Sequence, residues 1–415
     1  MQKTLTRAAL ALATLALSTF AAAKKPSEYT VEDFFRLEEY SSMVLSPDGN
    51  RLAALAPLKG RNNLVVIDLA KRAPQVITNF SSLDVANFVW INNERLCLRV
   101  ADGQEASGQF NYKGTYCVDH DGENLRNFSQ IRDRALFIDF LALPLDGSPD
   151  AIVAMRERSR DTQDVYRFNT KTARYELLTE DSPGFVVRWI VDRNYVPRVA
   201  VSQAERKRGN PKNLRTVWYR DGAGAKWEKL FEFPMIGGWA VEEQYIPLAF
   251  DYDNATLYIA HNAGRDKLAI YKYDTKARKM GELVLEDPLV DVDARPVYPV
   301  QLLFSRTQKK LLGVQYEADR RKVKWLDPDM DRLQKSLDAT FPKTTNSITL
   351  PALSDKRALI FAQSDTDAGM YHLLDRTKPS MSRSSGSASG SSPRTWPSAS
   401  SSPTRRATGW TSAPG

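Results

Sequence analysis

The chain has little of what most catalytic sites are built from. Among 415 residues there are three histidines, His120, His261 and His372, and two cysteines. The histidines fall in separate stretches, which reads as surface or turn histidine rather than a shared site. There is no glycine-rich phosphate loop ending in Lys-Ser or Lys-Thr, and no His-Glu-x-x-His helix. Asp327, Asp329 and Asp331 alternate like the start of a calcium loop, but Arg332 stands where that loop needs glycine. No metal and no cofactor is expected. The nearest approach to a nucleophile elbow, Gly386 to Gly390, has Ala388 at its centre and no histidine after it.

A surplus of charge over the body is also missing. The formal excess of +8 is concentrated at the ends, in Lys3, Arg7, Lys378, Arg383, Arg394, Arg405 and Arg406. The rest is close to balanced, which removes the main support for a nucleic-acid partner. Long apolar runs are confined to the start: Lys3 and Arg7, then Ala8 to Phe20, then Ala21-Ala22-Ala23, the three regions of a secretory signal peptide. The run is short and alanine-rich for a membrane span, an uncleaved anchor being the other reading. Residues 1–23 are therefore expected to be removed, leaving an exported periplasmic or extracellular chain with no membrane span.

The whole sequence is 42% hydrophobic, enough to build a large core. Residues 24–45 read as a helical lead segment, with Val31, Phe34, Phe35 and Leu37 at near-helical spacing. From Ser46 the apolar period changes to two. Turn signals such as Ser46-Pro47-Asp48-Gly49-Asn50, Asn92-Asn93, Asp146-Gly147, Asp192-Arg193-Asn194 and Asp253-Asn254 each precede a strand-like run. The units recur every roughly 45 to 60 residues, and seven can be counted. A single unit cannot bury both faces of its sheet, whereas a closed ring can. The pattern predicts an all-β fold, a seven-bladed β-propeller over 46–376, in preference to a β-sandwich with long insertions. Asp327-Pro328 followed by Met330, Leu333, Leu337 and Phe341 predicts a capped helix packing over the outside of the sixth blade. Cys97 and Cys117 lie symmetrically about a polar loop between two strand-like runs, so a cross-strand bridge and two separate buried thiols both stay open.

The segments Val31-Glu32-Asp33-Phe34-Phe35-Arg36, Ser41 to Gly49, Val89-Trp90-Ile91-Asn92-Asn93-Glu94-Arg95, and the unit from Ser354-Asp355 to Tyr371-His372-Leu373-Leu374-Asp375 together resemble exported bacterial serine peptidases of the prolyl oligopeptidase family. The resemblance runs from about Thr30 to Arg376. It implies an N-terminal propeller that restricts access of peptide substrates to a C-terminal α/β-hydrolase domain. The catalytic Ser, Asp and His of such enzymes belong to that second domain, so no catalytic residue carries over and the hydrolase domain is missing from this chain. Dipeptidyl-peptidase relatives hold a substrate amine with a glutamate pair from a propeller insertion, which makes Glu242 and Glu243 candidate substrate-binding residues; solvated loop carboxylates are the plainer reading. The 415-residue chain is expected to be inactive by itself. A stand-alone propeller binding a protein or cell-wall partner is the competing reading.

Residues 377–415 contain thirteen serines and five basic residues, with no Val, Ile, Leu, Asp or Glu. That composition cannot pack, and a disordered tail is expected. A one-base shift in a back-translation of Arg394 to Ser400 permits Glu-Asp-Met-Ala-Glu-Arg-Lys. The same shift over Pro403 to Thr411 permits Tyr-Thr-Ala-Arg-Asp-Gly-Leu-Asp. These phrases resemble the family's interdomain segment and the start of its hydrolase, so the tail reads as an out-of-frame translation. An ordinary serine-rich linker is the alternative.

Overall fold

The structure, a computed structural model, describes residues 40–104, 112–128, 130–131, 134–135, 138–159, 162–204, 212–236, 239–240, 243–292, 300–365, 367–378 and 380–383. The expected signal peptide, the amphipathic helix expected after Thr30, Glu242 and most of the serine-rich tail lie outside them.

Alternation along the strands decides the architecture. Leu52, Ala53, Ala54 and Leu55 are all at most 4% exposed, so this strand is covered on both faces. Ala53 and Leu55 pack with Val85, Leu96 and Leu98 of the following sheet, while Leu52 and Ala54 pack with Leu359 of the last one. At about 25 cal/mol per Å² of apolar surface, each buried leucine contributes up to ~2 kcal/mol, and only a ring supplies neighbours on both sides of every sheet.

Seven antiparallel sheets form that ring, a seven-bladed β-propeller. Blade one holds Ser41–Leu45, Arg51–Leu58, Arg61–Asp68 and Ala73–Val76; blade two holds Asp84–Trp90, Arg95–Ala101, Tyr112–Asp119 and Arg126–Asn127. Blade three holds Ile138–Ala142, Asp150–Met155, Asp164–Asn169 and Tyr175–Leu177. Blade four holds Val186–Val191, Pro197–Gln203, Lys212–Tyr219, Glu228–Ile236 and the short Trp239–Ala240. Blade five holds Tyr245–Phe250, Thr256–His261, Ala269–Asp274 and Lys279–Leu285, and blade six Gln301–Ser305, Lys310–Glu317 and Arg321–Trp325. Blade seven holds Thr345–Thr349, Arg357–Ser364, Asp367–Asp375 and Ser380–Arg383. In every blade neighbouring strands in the sheet are also neighbours in the chain.

Two expected boundaries move. Ser41–Leu45 is not part of a helical lead but the first strand of blade one, because Met43 and Leu45 alternate into the core shared with blade seven. At the other end Ser380–Arg383 pairs with Asp367–Asp375, so blade seven runs past Arg376 into the serine-rich segment. Backbone pairing needs no apolar side chain, which is how that composition joins a sheet edge.

The helix α1 (Pro328–Thr340) begins as expected, with the Asp327 carboxylate accepting from the Asp329 and Met330 amides at 3.0 Å each and proline in the first turn. Its position differs from the expectation. Met330 packs on Leu312 and Trp325 of blade six, but Leu337 packs on Ala358 and Ile360 of blade seven. The helix stands where blade six would have a fourth strand and wedges between the two blades.

Cys97 and Cys117 face each other in register on adjacent strands and are joined by a disulfide, with Cα atoms 4.0 Å apart. Both are buried with Phe128, Ile138 and Phe168 in the core between blades two and three.

Candidate functional site

The first strand of each blade borders the central channel, and the turn after it lies at one mouth. These turns interlock around the ring. The Asp48 amide donates to Asn93 Oδ1 at 3.0 Å, Asn92 Nδ2 donates to Ser148 O at 2.8 Å, and Tyr195 Oη donates to Pro144 O at 3.1 Å. The Arg193 amide donates to Asn254 Oδ1 at 2.7 Å, Tyr252 meets Phe304 edge-on, and Thr307 Oγ1 donates to Asp355 Oδ2 at 2.5 Å. Leu353 N to Pro47 O at 2.7 Å closes the circle.

One side chain crosses the opening. Arg306 of blade six donates from Nη1 to Pro144 O at 3.0 Å and from Nη2 to Leu143 O at 2.5 Å, both on the turn of blade three. Blades three and six stand almost opposite each other in a ring of seven, so this contact spans the mouth. On the blade-three and blade-four sides the strut is flanked by Leu145 and Tyr195, at φ 56° and 65°. Bulky residues adopt this left-handed conformation only at a cost in backbone energy, met here by the surrounding contacts.

Beneath the strut is a cavity of about 400 Å³ bordered by Arg188, Arg193, Tyr195, Leu248, Tyr252 and Arg306 among others. Arg193 is fixed by Nη2 donating to Phe250 O at 2.6 Å and by the rings of Tyr252 and Phe304, 4.5 and 3.9 Å from its guanidinium carbon. Its buried Nε has no hydrogen-bond partner among the described residues. Burial holds the Arg193 pKa below the usual arginine value, and the like charge of Arg306 acts in the same direction against Tyr252 and Asp251. Burial likewise lowers Arg188, with no nearby charge opposing it. The acids at this mouth are engaged in their turns. Asp192 accepts from the Asn194 and Val196 amides, and Asp251 accepts from the Tyr252 amide and from Tyr258 Oη at 2.7 Å.

Between blades four and five a second cavity of about 510 Å³ is bordered by Phe231, Tyr245, His261, Tyr273 and Arg278 among others. Phe231 stacks on Tyr245 at 4.4 Å, and His261 lies 5.6 Å from Tyr245 and 4.3 Å from Tyr271. Burial pushes the His261 imidazole below its ordinary pKa, aided by Arg265 and opposed by Glu243. Glu243 is exposed; its oxygens accept from Tyr245 Oη at 3.3 Å and the Gly264 amide at 3.1 Å. The other member of the expected pair, Glu242, lies outside the described residues.

The histidines stay apart. His120 faces Glu94 at 3.0 Å in blade two, His261 sits in the aromatic ladder, and His372 stacks on Phe341 in blade seven. Among the described residues no cluster of three His, Cys, Asp or Glu side chains could hold a metal ion. No helix among them is long and apolar enough to cross a membrane.

The channel arginines did not emerge from the sequence, because Arg188, Arg193 and Arg306 are 113 to 118 residues apart at their widest and nothing local links them. A readable signal did exist for a second set. Arg51, Arg95, Arg198 and Arg357 each stand at or next to the start of a second strand, directly after a turn, and each reaches into the next blade: to Asn93 O, Thr170 O, Asn254 O and Gly49 O.

No family model matches the chain, and no curated protein matches it. Among solved structures it is similar to a puromycin hydrolase at 16% identity and TM-score 0.48, covering 84% of this chain and 53% of that one. It is also similar to prolyl oligopeptidase B from Galerina marginata at 13% identity and TM-score 0.47, over 83% of this chain and 50% of that one. The β-propeller domain of the Trilobed protease from Pyrococcus furiosus aligns at 11% identity and TM-score 0.44, over 84% of this chain and 98% of that domain. The chain thus spans about half the length of the first two proteins and nearly the whole of the third.

Proposed function

We propose that this chain is the propeller portion of an exported serine peptidase of the prolyl oligopeptidase family, and that its channel filters peptides on their way to an α/β-hydrolase domain encoded in another frame beyond Thr377. The reading rests on the ordered sequence phrases that resemble that family and, above all, on the Arg306 strut. A side chain pinned across one mouth excludes folded protein and narrows the passage for an extended peptide. On this reading hydrolysis belongs to the restored protein, whose second domain supplies the nucleophile and its base.

Resequencing the gene and expressing it with the frame restored tests this directly. The restored protein should hydrolyse short peptides and take up a fluorophosphonate probe at one serine, while the 415-residue chain should do neither. In the restored enzyme, Arg306→Ala should raise kcat/KM for longer peptides by about 1 kcal/mol of transition-state energy, roughly fivefold, with short peptides unaffected. A labelled serine in the 415-residue chain, or a restored protein without peptidase activity, would overturn the proposal.

A further inference from the structure

Three guanidinium groups border one cavity of about 400 Å³, and none of the three forms an ion pair with a described residue. Their situations differ. Arg306 is satisfied by the carbonyls of Leu143 and Pro144. Arg193 is held rigidly between two rings with a buried Nε that lacks an acceptor. Arg188, half-buried on the first strand of blade four, makes no hydrogen bond or ion pair with any described residue.

Such an arrangement is costly for the fold alone. A partly desolvated cation without a partner destabilises a protein, and a buried donor without an acceptor does the same. The acids at this mouth do not relieve it, because the Asp192 and Asp251 carboxylates accept from their own turns, with Asp192 also 3.6 Å from Arg198. What the cavity lacks is an acceptor-only group with two oxygens, and guanidinium recognises a carboxylate in that way through paired N–H donors. The volume is that of a small-ligand site, and the Tyr195 and Tyr252 rings give it apolar wall for a short chain behind the charged end.

We propose that this channel mouth is a carboxylate-binding site, in which the Arg188 guanidinium takes the free carboxylate of a short peptide, with the fixed charge of Arg193 beside it and Arg306 closing the pocket above it. The site does not rest on the peptidase reading, since it is complete within this chain. Its natural ligand group has two sources, a peptide's C terminus or an acidic side chain, and these are separable.

The test uses the purified full chain and calorimetric titration with acetyl-Ala-Ala, its C-terminal amide, acetyl-Asp-amide and inorganic phosphate. Binding of acetyl-Ala-Ala at least tenfold tighter than its amide is expected. Comparable binding of acetyl-Asp-amide would assign the site to carboxylates generally, and weaker binding would assign it to peptide C termini. Arg188→Met should weaken acetyl-Ala-Ala at least tenfold while the unliganded variant melts at the same temperature as the parent or higher, because an unpaired charge has been removed. Acetyl-Ala-Ala should raise the melting temperature of the parent and leave that of Arg188→Met unchanged. Equal binding of acid and amide, no binding of either, phosphate binding as tightly as the peptide acid, or an Arg188→Met variant that binds normally would each overturn the proposal. An Arg188→Met variant that melts lower would assign the side chain a structural role instead, and Arg188→Lys would then have to restore stability without restoring binding.

Discussion

Arg95 is completely buried and yet charged, and its surroundings explain why. Its Nη1 donates to Asp119 Oδ1 at 2.6 Å, Nε to Thr170 Oγ1 at 3.0 Å and Nη2 to Thr170 O at 2.6 Å, tying blade two to blade three. Burial alone would raise the Asp119 carboxyl, but Arg95, Asn124 and Lys171 outweigh it and hold the group below the ordinary aspartate range. A carboxylate depressed in the fold stabilises above its unfolded pKa of about 3.9, and that contribution is lost as pH falls through the lower folded value. Asp119→Asn leaves a buried guanidinium uncompensated and should cost about 3 kcal/mol in urea unfolding at pH 7. The gap between parent and variant should stay constant above about pH 5 and close as the pH drops below about 4. A gap independent of pH would mean that the carboxylate charge is not what matters. A second residue-scale prediction concerns Gly313. A Cβ there would come within 2.8 Å of both Lys324 O and the Trp325 ring, so Gly313→Ala should destabilise by about 1 to 3 kcal/mol in the same assay. A neutral result would show that blade six shifts freely against its third strand.

At the level of strands and helix, legibility followed burial. The second strands were readable because they are apolar on both faces, as in Leu96-Cys97-Leu98, where leucines face blade one and the cysteine faces blade three. The outermost strands were not. Ala73–Val76 and Arg126–Asn127 are exposed throughout, and an exposed edge held by backbone hydrogen bonds leaves no apolar period. A different regularity was available there. Asp68, Asn169 and Asp274 each accept from the backbone amides two and three residues on, marking the turn into the fourth strand of blades one, three and five. The helix was legible in its cap but not in its location, since Leu337 carries no mark of which blade it will meet. The disulfide joins two strands that the sheet already pairs, closing a loop of 20 residues. In the chain-entropy account such a loop contributes about 3 kcal/mol, so Cys97→Ala with Cys117→Ala should lower the melting temperature by about 5 °C under non-reducing conditions. Loss of less than about 1 °C would mean that the unfolded chain already holds these hairpin strands together.

For the whole molecule, the seam between blades seven and one is the informative place. No strand is exchanged across it among the described residues, and each end blade is built from its own stretch of chain. Apolar contact of Leu359 with Met43, Leu45 and Leu52 seals it, together with Arg357 Nη1 donating to Gly49 O at 2.6 Å and to Asn50 Oδ1 at 3.0 Å. Arg357→Ala should therefore loosen one joint only. Hydrogen exchange of the Ser46 to Arg51 turn is expected to accelerate about tenfold, with blades three to five unchanged. Uniform acceleration would show instead that the ring opens as one unit.

That topology also sets the order in which the molecule is made. Backbone pairing in every blade joins strands next to each other in the chain, whereas the Arg357 to Gly49 contact joins residues 308 apart. Contact order is thus low except at this seam and at the Arg306 strut, which joins residues 162 and 163 apart. As the chain leaves the ribosome, each blade completes its ladder once its last strand is out, and waits with one apolar face bare until the next arrives. Blade one waits longest. The core around Met43 and Leu52 has no cover until blade seven has been synthesised, so the earliest part of the propeller to form is the one that stays sticky until the last blade is made.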